Sequence, residues 1–223
     1  MFAADAVRCM RRGNGGGGGS DPYWNDVVAL LHLDGDLTDE KGHTWAISGG
    51  MSFDVNGHFS EGLTSSGAYN SALYMTSPAP KIGLQDFTIE LFVRIASGAK
   101  SNSFVNTYGP SNTREKNIMV RNNPSGKLSA TNIVTDPSKD NSLATDRFNH
   151  IAYVREAGTV YLFLDGVMVG SGTMTDNIWT DAWYFGIQPY NLSWAVAGAY
   201  DELRITIGVA RYTANFTPPT EPF

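Results

Sequence analysis

The run Arg147-Phe-Asn-His-Ile-Ala-Tyr-Val-Arg-Glu-Ala-Gly-Thr-Val-Tyr-Leu-Phe-Leu-Asp-Gly-Val-Met-Val-Gly170 constrains the fold more than any other part of the chain. Ile151, Tyr153 and Arg155 alternate with Ala152 and Val154, the two-residue period of a strand. Glu156-Ala-Gly158 breaks that run, and Val160, Leu162 and Leu164 then alternate with Tyr161 and Phe163. Asp165-Gly166 leads into Val167-Met-Val169, and a two-residue Asp-Gly loop between apolar runs is a strong hairpin signal. Three consecutive strands with both turns written out require antiparallel β structure.

The rest of the chain continues this pattern. Val27 to Leu33, Trp45 to Ser48 and Ser71 to Thr76 read as strands. In Phe87 to Ile95 the odd positions Phe87, Ile89, Leu91, Val93 and Ile95 share one face, with Thr88, Glu90 and Arg94 on the other. Weaker strands fall near 103–108, 117–121 and 127–134, followed by 182–187 and Ala199 to Ile207. About a dozen strands with polar, Gly- or Pro-bearing turns predict an all-β, antiparallel two-sheet β-sandwich over residues 21–223. A 42% hydrophobic and 17% charged composition suits strands that each bury a face.

Residues 1–20 differ from everything after them. Gly15 to Gly19 cannot pack a core, so the segment reads as an extended N-terminal arm that gains order only against a neighbouring chain. Arg8, Arg11 and Arg12 within it are candidates for docking on an acidic partner surface; the alternative is a solvated tail. No apolar stretch of signal-peptide length surrounds them, and no run approaches the ~18 apolar residues of a membrane span. Cys9 is the only cysteine, so an intrachain disulfide is excluded and folding in a cytoplasm is expected. A net charge of −6 argues against a nucleic-acid partner.

Four segments resemble the laminin G-like, concanavalin A-like lectin/glucanase family of jelly rolls. Ala29 to Gly42 resembles its opening strand and acidic loop, and Asp86 to Arg94 resembles its "dFTiefWvr" strand, with Phe92 at the frequent Trp position. Phe148 to Arg155 with Leu162 to Gly166 resembles its "W-hvA-vr … lyvDG" pair, and Tyr200 to Ile205 its closing "iDElRI" strand. The likeness runs over roughly residues 24–218 in the family's order. The opening "DPYWNDVVALLHLDG" and closing "GVARYTANFTPPTEPF" look like the laminin G-like domains of tailed-phage virion proteins. That resemblance implies a non-enzymatic virion component made in the bacterial host cytoplasm. The arm would hold it to other virion proteins as a homo-oligomer, with a trimer favoured, and the domain would attach to host-surface glycan. The alternatives it leaves are a structural capsid or tail decoration protein and, less favoured, a glycan hydrolase.

Site candidates follow from the same reading. A sugar site needs an aromatic plane beside amides, and Trp179, Gln188, Tyr190, Asn191 and Trp194 form the first such group; core or subunit packing is the alternative. Tyr108 with Asn106 and Asn112 is the second. Trp183 and Phe185 alternate within a strand and read as core. The resemblance implies a structural Ca²⁺ joining the first loop to the last strand, with Asp34, Asp36, Asp39 and Asp201 as candidate ligands; turn chemistry explains the loop equally. No catalytic residue is assigned: Glu90 stands alone, and adjacent Asp201 and Glu202 are expected on opposite faces of a strand.

Overall fold

The computed structural model describes residues 21–97, 102–108, 117–189 and 194–223. The arm, with Arg8, Arg11 and Arg12, lies outside the described residues, as do Asn112, Tyr190 and Asn191. A 3₁₀ turn at Trp24–Asp26 precedes β1 (Val27–Leu31), β2 (Trp45–Ser48), β3 (Met51–Asp54), β4 (Gly62–Ser66) and β5 (Ala72–Met75). Next come β6 (Phe87–Ile95), β7 (Ser103–Tyr108), β8 (Met119–Asn122), β9 (Leu128–Ala130) and β10 (Val134–Thr135). The chain then forms β11 (Asn149–Glu156), β12 (Thr159–Leu164), β13 (Val167–Thr173), β14 (Ala182–Phe185) and β15 (Ala197–Ile207).

Every strand pairing is antiparallel, and the strands form two sheets. The larger has nine strands, in the order β10-β13-β12-β11-β6-β15-β4-β3 with β1 also on β15; the smaller has six, in the order β2-β5-β14-β7-β8-β9. The two-sheet sandwich expected from the strand pattern is thus the observed architecture. The Asp-Gly hairpin forms as written, with Leu164 opposite Val167 and both turn residues at positive φ, +50° and +76°.

Strand alternation decides which side chains meet between the sheets. Phe87, Ile89, Leu91, Val93 and Ile95 from β6 and Ile151 and Tyr153 from β11 pack with Leu73, Val105, Trp183 and Phe185 from the small sheet. Trp183 and Phe185 are therefore core, as their spacing predicts.

The two outer faces are treated differently. On the large sheet Thr88, Glu90, Phe92, Ala152, Val154 and Phe163 point away from the core yet are buried. Residues 208–223 run across that face: Ala210, Tyr212 and Phe216 cover Ala152, Val154 and Phe163, while Phe223 and Phe59 pack on Phe92 and Phe148. This strap makes β6 and β11 buried on both sides, a pattern ordinarily seen in parallel sheets. Among the described residues no such strap crosses the small sheet, where Tyr74 and Tyr184 are half-buried.

Candidate functional site

The register of the small sheet lays out a row of outward side chains. Ala46 lies opposite Tyr74, Tyr74 opposite Tyr184, Tyr184 opposite Asn106 and Asn106 opposite Met119. Leu73, Trp183, Phe185 and Val105 point inward between them, so the row lies wholly on the outer face. The Tyr74 and Tyr184 rings stack with centroids 5.9 Å apart and planes 22° apart. Asn106 donates from Nδ2 to Ser103 Oγ at 3.2 Å, and Ser103 N donates to the Trp194 carbonyl at 2.9 Å. Trp194, at φ +57°, carries the Arg121 guanidinium 5.0 Å from its ring centroid. Tyr74, Tyr184 and Trp194 are half-buried whereas Asn106 and Ser103 are buried, so the aromatic rings are the part of this row that offers a surface to a sugar's apolar C–H face.

The sequence candidates divide on this surface. Asn106 and Trp194, drawn from separate groups in the sequence reading, meet through Ser103. Trp179 does not join them. It stands between Ile178, bridged to Gly83, and Thr180, whose hydroxyl accepts from Ile82 N and donates to the Pro80 carbonyl. That places it beyond Ala182, which pairs with Tyr108, whereas Trp194 sits against Ser103 at the opposite end of β7. The backbone of β7, roughly 17 Å at about 3.3 Å per residue, runs between the two attachments. Gln188 is half-buried near the Trp194 end, and its Oε1 is buried without a hydrogen bond. Tyr74 and Tyr184 were missed because each belongs to a short strand whose outward residue looks like any other aromatic; only the β5–β14 pairing brings them together.

The acidic residues answer to structural needs. Asp39 Oδ1 accepts from Leu30 N and Lys41 N at 3.2 and 2.8 Å, and Oδ2 accepts from Trp45 Nε1 at 2.8 Å. Asp36 Oδ1 accepts from Thr38 N at 2.8 Å, an Asx turn, and Asp34 is exposed. Asp201 Oδ2 accepts from His58 N and Phe59 N and Oδ1 from Glu202 N. Its carboxyl is pushed up to about 7 by burial, against those two amides and with the Glu202 and Asp34 charges adding to the rise. Among the described residues no three His, Cys, Asp or Glu side chains gather to hold a metal. The Asp39 and Asp201 oxygens accept from backbone amides and Trp45, and a calcium ion wanting six to eight oxygens would need further ligands beyond Asp34, Asp36, Asp39 and Asp201.

One expectation about the closing strand is corrected. Between Asp201, opposite Phe92, and Arg204, opposite Glu90, β15 holds one residue more than β6, and Glu202 has φ +48°. This bulge breaks the alternation. Asp201 and Glu202 therefore do not face opposite ways. Asp201 binds the amides of His58 and Phe59, while Glu202 accepts from Phe223 N and pairs with His32 Nδ1 at 2.9 Å. Both sets of partners belong to the outer side of the large sheet.

A cavity of about 450 Å³ opens on that same side, lined by Asp21, Trp24, Arg204, Arg211 and residues 219–223. Its two arginines are already matched: Arg204 Nη2 meets Glu90 at 2.8 Å and Arg211 Nη2 meets Asp21 at 2.8 Å. It reads as a seam between the strap and the 3₁₀ turn.

The comparisons with known proteins agree with this architecture. The family model described as the concanavalin A-like lectin/glucanases superfamily (Laminin_G_3) matches residues 67–209. No curated protein matches the chain. Among solved structures, domain 4 of AbnA, a GH43 extracellular arabinanase from Geobacillus stearothermophilus in complex with arabinotriose, is similar at 19% identity and a TM-score of 0.59. That match covers 83% of this chain and 94% of the other. The botulinum neurotoxin type G receptor binding domain is similar at 12% identity and a TM-score of 0.55, covering 86% of this chain and 49% of the other. The binding domain of botulinum neurotoxin DC in complex with SialylT is similar at 11% identity and a TM-score of 0.55, covering 82% and 47%. The chain thus spans about half the length of these toxin domains.

Proposed function

Because the chain belongs to the concanavalin A-like lectin/glucanases superfamily, we propose that it is a non-enzymatic glycan-binding module whose site is the outer face of the small sheet. The observation that carries this reading is the Tyr74–Tyr184 pair, stacked and half-exposed on the outer face of a sheet whose counterpart is crossed by a strap. Two adjacent phenol rings present an apolar platform for sugar C–H groups. The neighbours support a binding role: an arabinanase domain with arabinotriose and a toxin binding domain with SialylT are recorded as complexes.

The setting we propose is a phage virion, to which residues 1–20 anchor the domain as a homo-oligomer while the platform engages host-surface glycan. Asp21, the first described residue after the arm, is held by Arg204 and Arg211 on the outer face of the large sheet, opposite the platform. The discriminating experiment is a glycan-array screen followed by calorimetry of the best ligand. Tyr74→Ala and Tyr184→Ala are each expected to weaken binding about 10-fold or more with little change in melting temperature, as stacked aromatic contacts outside the core do. Wild-type affinity in both variants would rule out the platform.

A further inference from the structure

Beside the tyrosines, the outer face of the small sheet carries a pair of hydroxyls. Trp45 and Met75 lie opposite each other on β2 and β5, and both side chains enter the core. The next step of that register sets Thr44 against Thr76, on the same outward side as Ala46 and Tyr74, and both threonines are exposed. Thr76 N donates to the Thr44 carbonyl at 2.8 Å, which ties the two backbones at this point. Thr76 stands two residues from Tyr74, about 7 Å along the strand. Ala46 and Ala182 share this face, and their methyls keep the ground between hydroxyls and rings low.

The protons of this pair can be located. Thr44 Oγ1 and Thr76 Oγ1 lie 2.9 Å apart, and Thr76 Oγ1 also donates to the Thr44 carbonyl at 3.1 Å. A hydroxyl has one proton and two lone pairs. Thr76 spends its proton on the carbonyl, so both bonds form together only when Thr44 donates to Thr76. No proton is then left for a ligand, while two lone pairs on Thr44 and one on Thr76 remain. The pair is an acceptor. No side chain of β2, β5 or β14 is formally charged, so these strands offer an anion no cation.

We infer that the saccharide taken by this face is neutral, and that one of its hydroxyls donates to Thr44 and Thr76 while a ring lies on Tyr74 and Tyr184. The inference rests on the platform reading above and adds the chemical class of ligand. A sugar hydroxyl supplies the proton that the pair lacks. A carboxylate or sulfate oxygen brings only lone pairs, and loses water at this spot without gaining a hydrogen bond. The net charge of −6 adds repulsion of polyanions at longer range.

The test is an array of matched neutral, carboxylated and sulfated oligosaccharides, with calorimetry of the best neutral member. The wild-type full chain is expected to bind neutral members about ten-fold more tightly than their acidic counterparts. Thr44→Val with Thr76→Val keeps the shape of the face and removes both hydroxyls. That variant should bind the best neutral member about 5-fold more weakly, at a nearly unchanged melting temperature. Thr44→Ser with Thr76→Ser keeps the hydroxyls and should retain wild-type affinity. Acidic members bound as tightly as neutral ones, wild-type affinity in the valine variant, or equal losses in the valine and serine variants would each overturn the assignment. The platform would still stand if Tyr184→Ala abolished what binding remained. Failure of every array member to bind would overturn both.

Discussion

Glu90 is the residue whose surroundings differ most from what its neighbours in sequence suggest. It sits on the outward side of β6 between Ile89 and Leu91 and is nonetheless fully buried. Arg204 Nη2 approaches Oε1 at 2.8 Å, Tyr212 donates its hydroxyl to Oε2 at 2.9 Å, and His150 Nε2 lies 3.3 Å from Oε2. Burial by itself would raise its pKa; Arg204, His150 and Arg211 outweigh that and hold the carboxyl at about 2, below its usual 4.5. A depressed folded-state pKa contributes stability that is present above about pH 4.5 and lost as pH falls through about 2. Glu90→Gln removes this term and leaves Arg204 facing a neutral amide. Urea unfolding at pH 7 is expected to show a loss of about 3–5 kcal/mol, the penalty of breaking a buried pair from one side. The variant should also lose stability less steeply than wild type on acidification. Parallel acid limbs for the two proteins would show that Glu90 does not titrate as described. The same contacts explain why a carboxylate on a glucanase-like fold reads here as scaffold: a substrate would have to displace the strap to reach it.

At the scale of elements, the Asp-Gly hairpin and the strap are one unit. Gly166 has φ +76°, and a Cβ placed there would lie 2.0 Å from the Phe216 carbonyl oxygen. Gly126 has the similar φ of +78° with nothing within 4 Å, so it isolates the backbone penalty from the steric one. Gly126→Ala is expected to cost about 1–2 kcal/mol, and Gly166→Ala clearly more, because the strap must also move; thermal melts of the two variants decide it. Equal shifts would mean that residues 208–223 do not press on the turn. What was legible in the sequence follows the same division. β2 and β6 fall where their alternation put them, and the β12–β13 turn was written in two residues. Met51–Asp54 and Gly62–Ser66 were not recognised as strands, since short mixed runs become strands only by pairing with each other and with β15. The strap was equally hidden, because it has no period: Tyr212, Phe216 and Phe223 gain meaning only from the aromatic and alanine side chains beneath them. Of the sugar-site candidates, Asn106 and Trp194 were identified singly. Their union with Tyr74 and Tyr184 depends on cross-strand register, which no local pattern encodes.

At the scale of the whole molecule, the strap closes one outer face while the described residues leave Tyr74 and Tyr184 half-exposed on the other, and Asp21 lies on the closed side. Asp21 Oδ1 accepts from Arg211 Nη1 at 3.0 Å and Oδ2 from Arg211 Nη2 at 2.8 Å, with Arg204 Nη1 at 3.5 Å, so this residue is fixed to the outer face of the large sheet. A domain held by residues 1–20 would consequently present Tyr74 and Tyr184 away from its support, the orientation that a receptor-binding module needs. Attachment and recognition are then separable by deletion. A chain spanning residues 21–223 keeps Asp21 and every contact of the sandwich. It is expected to melt within a degree or two of the full chain and to bind glycan with unchanged affinity, because Asp21 is held on the face of the sandwich opposite the tyrosine platform. It should fail to incorporate into particles assembled in its presence, whereas the full chain carrying Tyr184→Ala should incorporate normally and lose only glycan binding. Incorporation of the truncated chain at the full-length level would remove the arm from the anchoring role. Loss of glycan affinity on truncation would mean instead that recognition requires the arm or the oligomer it builds, and that the two faces of the sandwich do not act independently.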